Sequence, residues 1–366
     1  MPYCGNRRNI DASLCLREEY LGKNRINAAL RECSMLKTFL CSLCLACAMF
    51  VALLLILTVQ PVLWTPPACL VPTVDPAALE SYVKTFTQAF HPRCYDHPDN
   101  LEAVACYIER HFTAAGGRTR RQSFPVDELT YSNVIAEFGP EDGPVIVVGA
   151  HYDSYGENYR ESSRYTPGAD DNASGVAGLL ALADLLGLHA PGKRVQLVAY
   201  CLEEPPFFRT AHMGSAVHAE ALHKGGVPVI GMISLEMIGY FSDAPGTQRY
   251  PAAIMKLLYP DRGNFLAVVG AFQDMGLTRT IKTAMLGASD LPICSINTLP
   301  LVPGVDFSDH RNYWPYGYEA VMITDTAFYR NSAYHTENDT ADRLDYKRMG
   351  KAVQGVFAAV AKLAAQ

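Results

Sequence analysis

The chain lacks several things that would send its reading elsewhere. It has no basic stripe to follow a phosphate backbone, and its formal net charge is −6 over 366 residues, which argues against a nucleic-acid partner. It has no G-x-S-x-G elbow, which argues against a serine hydrolase. Eleven cysteines are present, six of them before residue 50 (Cys4, Cys15, Cys33, Cys41, Cys44, Cys47), yet none forms a paired C-x-x-C zinc pattern. Cys41-x-x-Cys44-x-x-Cys47 lies inside an apolar run and reads as small apolar filler. There is no internal repeat and no low-complexity tract. Charged residues make up only 19% of the chain and hydrophobic ones 49%, so a sizeable core can form and global disorder is excluded. The length suits one large domain with an appendage.

The most local absence is of charge between Thr38 and Val74. The first part of this stretch, about Phe39 to Val59, is long enough to cross a bilayer as a helix, which needs ~20 residues. Pro61, Pro66 and Pro67 then end it. Seven basic residues precede it (Arg7, Arg8, Arg17, Lys23, Arg25, Arg31, Lys37) against four acidic ones, and the remainder carries 24 basic against 33 acidic. The positive-inside rule keeps the amino terminus in the cytoplasm and exports the rest. The expected organisation is a basic tail over 1–37, a transmembrane signal-anchor over 38–60, a Pro-rich linker over 61–74 and a globular part over 75–366. A cleaved signal peptide starting at Met35 is the alternative; it would release the globular part as a secreted protein. Export, periplasmic or extracellular, permits a Cys94–Cys106 disulfide, with buried free thiols as the other option.

Asp75-Pro76 reads as a helix N-cap followed by a first helical proline, and Leu79, Tyr82, Val83 and Phe86 follow at core-facing spacing. A second helix is expected over about Asn100 to Phe112, with strands near Arg120–Val126 and Asn133–Phe138. The run Val145–Gly149 reads as a buried strand ending at Ala150-His151-Tyr152-Asp153. Helices about Ser174–Leu186, Ser215–His223, Gln273–Met285 and Tyr346–Leu363 then alternate with strands Val195–Tyr200, Val229–Met237, Phe265–Gly270 and Ala320–Thr324. This alternation predicts an α/β fold with a mostly parallel, mixed sheet sandwiched between helices. The aromatic-rich stretch Gly304–Tyr318 reads as a long loop over a site.

Ionisable residues gather where these strands end, which is where open α/β sheets place their sites. His151 ends one strand. Asp153, two residues on, can take the second ring N–H of a ligating His151. Asp170-Asp171 sits just before a helix, and two consecutive Asp exceed what an N-cap requires. Glu203-Glu204 follows another strand; adjacent buried carboxylates repel unless a cation is near, and they suit one ligand and one proton carrier. Glu236 ends a third strand, and His335 lies in Tyr334–Thr340. Two imidazoles with several carboxylates suit zinc, cobalt or manganese better than calcium. That number of donors suggests two metals sharing a bridging carboxylate.

These stretches together resemble the M28 family of zinc exopeptidases, which also contains the glutaminyl cyclases, and the chain looks like a membrane-anchored bacterial-type member. The resemblance runs from about Asp75 to the end. It rests on H-x-D (His151, Asp153), G-A-D-D-N-A-S-G (Gly168–Gly175), E-E (Glu203, Glu204), L-E-M-I-G (Leu235–Gly239), S-D-H (Ser308–His310) and Y-H-T-x-x-D-T (Tyr334–Thr340). It implies two zinc ions, with cobalt or manganese as substitutes. His151 and Glu236 would hold one, Glu204 and His335 the other, and Asp171 would bridge them. Glu203 would be the general base, Asp153 would orient His151, Asp309 would stand behind the ligands, and one of Tyr313, Tyr316 and Tyr329 would support the oxyanion. Many family members have Asp where Glu236 stands, and Pro205-Pro206-Phe207-Phe208 departs from the usual small-residue turn; it is expected to shape a pocket wall.

The implied reaction is removal of amino-terminal residues from peptides by metal-activated water. A glutaminyl cyclase, with one working zinc, is the first alternative, although that branch typically has Trp where Tyr334 stands. A non-catalytic binding member is the second, and the filled ligand positions count against it. Substrate preference and oligomeric state are not read from the sequence.

Overall fold

The computed structural model describes residues 8–62, 64, 71–159 and 162–366. Half of the expected Pro-rich linker, residues 63 and 65–70, lies outside the described residues. The chain divides into two compact units, 1–56 and 57–366.

The first unit is helical throughout its described length. Its helix, α1 (Arg8–Val59), has its last turn in the second unit. The part from Arg17 to Val59 is long and apolar enough to cross a membrane, and leucines such as Leu43, Leu45 and Leu53 lie about half exposed along it. A helix that is apolar all round wants an apolar surrounding on every side.

The second unit is built on an eight-stranded sheet. Its strands are β1 (Arg118–Val126), β2 (Leu129–Phe138), β3 (Val145–His151), β6 (Arg194–Tyr200), β7 (Val229–Glu236), β8 (Leu266–Ala271), β9 (Ile293–Thr298) and β10 (Ala320–Thr324), in spatial order β1-β2-β6-β3-β7-β10-β8-β9. Four of the seven pairings within this sheet are parallel, and the antiparallel ones are β1–β2, β2–β6 and β10–β8. A short hairpin, β4 (Gly156–Tyr159) and β5 (Ser162–Tyr165), stands apart.

The two faces follow from period-two alternation. On one face Ile146, Val148, Leu197, Ile233 and Ile323 pack under the main helical layer. That layer is α2 (Pro76–Lys84), α3 (Pro98–Ala114), α4 (Gly175–Leu188), α6 (Met275–Ala288) and α7 (Tyr346–Ala364). On the other face Val145, Val147, Val198 and Met232 pack with Ala219 and Leu222 of α5 (Gly214–Lys224) and with Tyr313. The central strands β3, β6, β7 and β10 are buried on both faces, which is why they read as continuous apolar runs. α4 is as apolar as a membrane span but sits mostly buried in this core.

Several local readings recur in the structure. Asp75 caps α2 by accepting the Ala77 N–H at 3.0 Å, and Leu79, Val83 and Phe86 are buried. The loop 304–318 is irregular, with two single turns of 3-10 helix at Asp309–Asn312 and Trp314–Tyr316. Two elements went unanticipated. β9, Ile-Cys-Ser-Ile-Asn-Thr, lacks a clear period-two pattern and is too polar to stand out, and the β4–β5 hairpin carries no apolar pattern. Cys94 and Cys106 are free thiols; they hydrogen-bond Asp96 and Glu102 instead of each other.

Candidate metal centre

The carboxyl ends of β3, β6 and β7 bring His151, Glu203-Glu204 and Glu236 to one edge of the sheet. The turn Ala169–Ser174, just before α4, adds Asp171, and the loop after β10 adds His335. Two clusters result, His151 with Asp171 and Glu236, and Asp171 with Glu204 and His335; within each the donor atoms lie within 4.8 Å of one another. Asp171 belongs to both. Its Oδ1 is 3.4 Å from His151 Nε2, and its Oδ2 is 3.2 Å from His335 Nε2. Glu236 Oε2 lies 3.4 Å from His151 Nε2, and Glu204 Oε2 lies 3.3 Å from His335 Nε2. Glu203 stands slightly back, 3.9 Å from His151 Nε2.

The electrostatics show what such a cluster lacks. Burial alone would lower the pKa of both imidazoles, but Glu236 and Glu203 hold His151 well above its ordinary value, and Glu204 and Asp171 lift His335 to about 11. Burial pushes Glu203 well up and Glu204 to about 7, with neighbouring carboxylates adding to both. Burial would raise Asp171 as well, but the two imidazoles beside it hold it below the usual carboxylate range. Unassisted, the site satisfies itself with protons; cations would do so better, since both donor types bind metal when deprotonated. His151 Nε2 and Glu204 Oε1 are buried with no hydrogen-bond partner. An orphaned imidazole nitrogen facing three carboxylates fits a metal-ligand set and is costly otherwise.

Supporting residues fix these side chains. His151 Nδ1 lies 3.1 Å from the backbone carbonyl of Asp153 and 3.5 Å from its carboxylate. The Asp153 carboxylate is turned towards the next strand end, where it accepts the Glu203 and Glu204 backbone N–H groups at 3.2 and 3.0 Å. It therefore orients the glutamate pair as much as the histidine. Asp309 is buried beside the clusters without belonging to either. Burial raises it to about 7, His151 opposing and Glu236 adding.

Sequence reasoning passed over several contributors. Asp339 accepts the N–H groups of Asp170 and Asp171. Asn172 ties the turn to β7, donating to Leu235 O at 2.8 Å and accepting Met237 N–H at 3.0 Å. Ser308 donates to Glu236 Oε2 at 2.8 Å. Asp339 and Ser308 stood inside the quoted motifs without a role; Asn172 reads there as a helix N-cap, and it accepts the Gly175 N–H at 3.1 Å. Arg93 gave no signal at all: it is fully buried and donates to the carbonyls of Phe86, Tyr152, Pro167 and Gly168. His335 is held between the rings of Tyr155 and Tyr334, stacked at centroid distances of 4.0 and 3.8 Å.

None of the three tyrosines considered for the oxyanion has a hydrogen bond to the cluster residues. Tyr313 is buried against Tyr200 and His218, each 2.6 Å from its hydroxyl. Tyr316 stacks on His223, and Tyr329 donates to Pro303 O. Phe208 packs edge-on against Phe307, but none of Pro205, Pro206, Phe207 and Phe208 lines the apolar pocket beside Glu236. From Glu236 and Tyr334 an apolar pocket extends over β8–β10, lined by Phe265, Val269, Met322 and Phe328 among others.

The profile of Peptidase family M28 matches residues 133–360, more than half of the chain. The chain belongs to peptidase family M28. This M28 chain is 53% identical over 283 residues to the uncharacterized protein YfbL of Escherichia coli (strain K12), covering 77% of this chain and 87% of that one. It is 28% identical over 282 residues to leucine aminopeptidase 1 of Uncinocarpus reesii, covering 74% of this chain and 65% of that longer protein. Solved M28-like folds include LapB from Legionella pneumophila (TM-score 0.63, 22% identity, 80% of this chain and 73% of that one). A glutaminyl cyclase from Bacteroides thetaiotaomicron (TM-score 0.58, 20% identity, 80% and 99%) and a Zn-dependent exopeptidase from Parabacteroides distasonis (TM-score 0.58, 19% identity, 79% and 99%) are also similar. At these identities the structures speak to the fold alone. Family membership makes this M28 chain a metallo-exopeptidase.

Proposed function

We propose that this M28 chain is a dinuclear zinc aminopeptidase. The observation that carries the reading is the sharing of one carboxylate: Asp171 presents separate oxygens to His151 and His335. His151, Asp171 and Glu236 would hold one zinc, and Asp171, Glu204 and His335 the other. Bound zinc supplies Lewis acidity, lowering the pKa of water from ~15.7 towards 7 and polarising a carbonyl. Glu203, buried and set back from the donor clusters, takes the proton of the attacking water and passes it to the leaving amine. A carboxylate held there, beside the ligands but not among them, can both accept and release that proton. Asp153 keeps Glu203 and Glu204 in register, and Asp309 stands behind the ligands. The pocket beside Glu236 accepts an apolar side chain of the residue removed.

The amino-terminal helix is read as an anchor, with 1–37 in the cytoplasm, 38–60 in the membrane, 61–74 as linker and 75–366 outside the cytoplasm. Zinc quantification on the purified chain tests the centre, with cobalt and manganese as competitors. Aminoacyl chromogenic substrates test the activity. Release of free leucine or phenylalanine supports the proposal, whereas cyclisation of an amino-terminal Gln without release of amino acids would assign the glutaminyl cyclase reaction instead.

A further inference from the structure

Two surface segments of the second unit expose apolar side chains that no part of the described structure covers. In residues 252–258 these are Ile254, Leu257 and Leu258; in 299–301 they are Leu299 and Leu301, with Leu257 79% and Leu301 88% exposed. Lys256 is exposed in the same turn as Leu257. The neighbours of these side chains in sequence, Met255, Tyr259 and Val302, line the apolar pocket that begins at Glu236. The exposed residues therefore lie around that pocket and form no scattered set.

The place where the chain leaves α1 is fixed nearby. Val59 and Gln60 belong to the second unit. Lys282 of α6 donates to both of their carbonyls, at 2.9 and 3.0 Å, and Ser295 of β9 donates to Val59 O at 2.7 Å. Ser295 in turn accepts the Tyr259 hydroxyl on its own carbonyl at 2.8 Å. One chain of contacts thus links the end of the membrane-length helix, the edge strand β9 and the segment that follows Leu257 and Leu258. Trp64, just beyond Gln60, is exposed, and amphipathic aromatic rings favour the headgroup level.

We propose that residues 252–258 and 299–301 form a second membrane contact, seating the peptidase unit on the lipid surface beside its own anchor. Leucines and isoleucine would enter the boundary between headgroups and acyl chains while Lys256 stays among the headgroups. The occupant is lipid because the chain itself delivers this face to a bilayer: the end of α1 is pinned to the same edge of the unit. The mouth of the apolar pocket then lies at the interface, where peptides with apolar amino termini concentrate. The inference rests on the reading of α1 as an anchor.

The test uses the full chain reconstituted into phosphatidylethanolamine–phosphatidylglycerol vesicles containing brominated lipid. Leu257→Trp and Leu301→Trp are compared with Leu188→Trp, which lies at the far end of α4 and is equally exposed at 78%. The readout is the increment in bromine quenching over the parent chain, whose Trp64 and Trp314 are common to all variants. At least a several-fold larger increment at positions 257 and 301 is expected. Equal increments at all three positions, with the chain still resisting alkaline extraction, overturn the docking and leave the anchor standing. A chain washed off the vesicles by alkali overturns the anchor, and the docking with it. Blue-shifted but unquenched emission at 257 shows protein covering the patch and overturns the lipid assignment.

Discussion

Asp339 holds Asp171 by its backbone: Oδ2 of Asp339 accepts the Asp171 N–H at 3.0 Å, and the same carboxylate accepts the Asp170 N–H. The residue shared by both donor clusters is therefore positioned from the loop that carries His335. Asp339→Ala is expected to weaken zinc binding by roughly 10–100-fold while leaving the far-UV spectrum unchanged. Chelator competition measures this, and unchanged affinity would show that the turn holds its shape unaided.

Asp171 itself is predicted to matter for both metals at once. Asp171→Asn removes the negative charge facing two imidazoles, so zinc content should fall from two equivalents to below one. Loss of a single equivalent, with the other bound normally, would rule out the shared carboxylate.

Glu203 should separate binding from turnover. In Glu203→Gln the zinc content stays at the parent level while kcat drops by about 10²–10⁴, the usual range for losing a general base. Activity within a few-fold of the parent would remove Glu203 from the reaction.

Arg93 predicts a stability effect with no ligand involved. Its guanidinium serves four backbone carbonyls around the Gly168 turn, and Arg93→Met leaves them unserved, a cost on the order of 3 kcal/mol or more. Arg93→Lys should rescue little, because an ammonium cannot reproduce the planar fork. Urea midpoints of the three chains decide this.

Two buried histidines outside the donor clusters give a pH dependence with a definite sign. Burial holds His218 at about 3 and His310 at about 4. Unfolded, both titrate near 6.5, so below that pH the unfolded chain binds more protons than the folded one. Their contribution is complete above pH ~6.5 and is lost as the pH falls, by up to ~1.4 kcal/mol per unit for each. His218→Gln keeps a partner for the Tyr313 hydroxyl and should flatten the fall in melting temperature between pH 7 and 5. A slope identical to the parent's would show that His218 is not buried neutral.

Much of the site was legible because its signal is local. His151 ends an apolar strand, Glu203-Glu204 is a repelling pair, and Asp170-Asp171 exceeds a capping need; each is visible within a few residues. The sheet was legible too, since strands buried on both faces must be continuous apolar runs. β9 and the β4–β5 hairpin were not, because their stability comes from neighbours rather than from their own pattern. Arg93 was invisible for the same reason: three of its four acceptors are carbonyls 59, 74 and 75 residues away, and a carbonyl leaves no mark in a sequence.

By itself, the sequence determined which residue types could hold cations, the order in which they arrive along an α/β chain, and the presence of an apolar segment long enough for a bilayer. Only the tertiary structure decided that Asp171 faces two imidazoles, that Asp153 serves the glutamate pair, and that Ser295 joins the carbonyl of Val59 at the end of α1 to the Tyr259 hydroxyl. Side-chain chemistry and periodicity are properties of short stretches. Distances between strand ends, and the direction in which a carboxylate turns, are set only once the whole sheet has closed around its core.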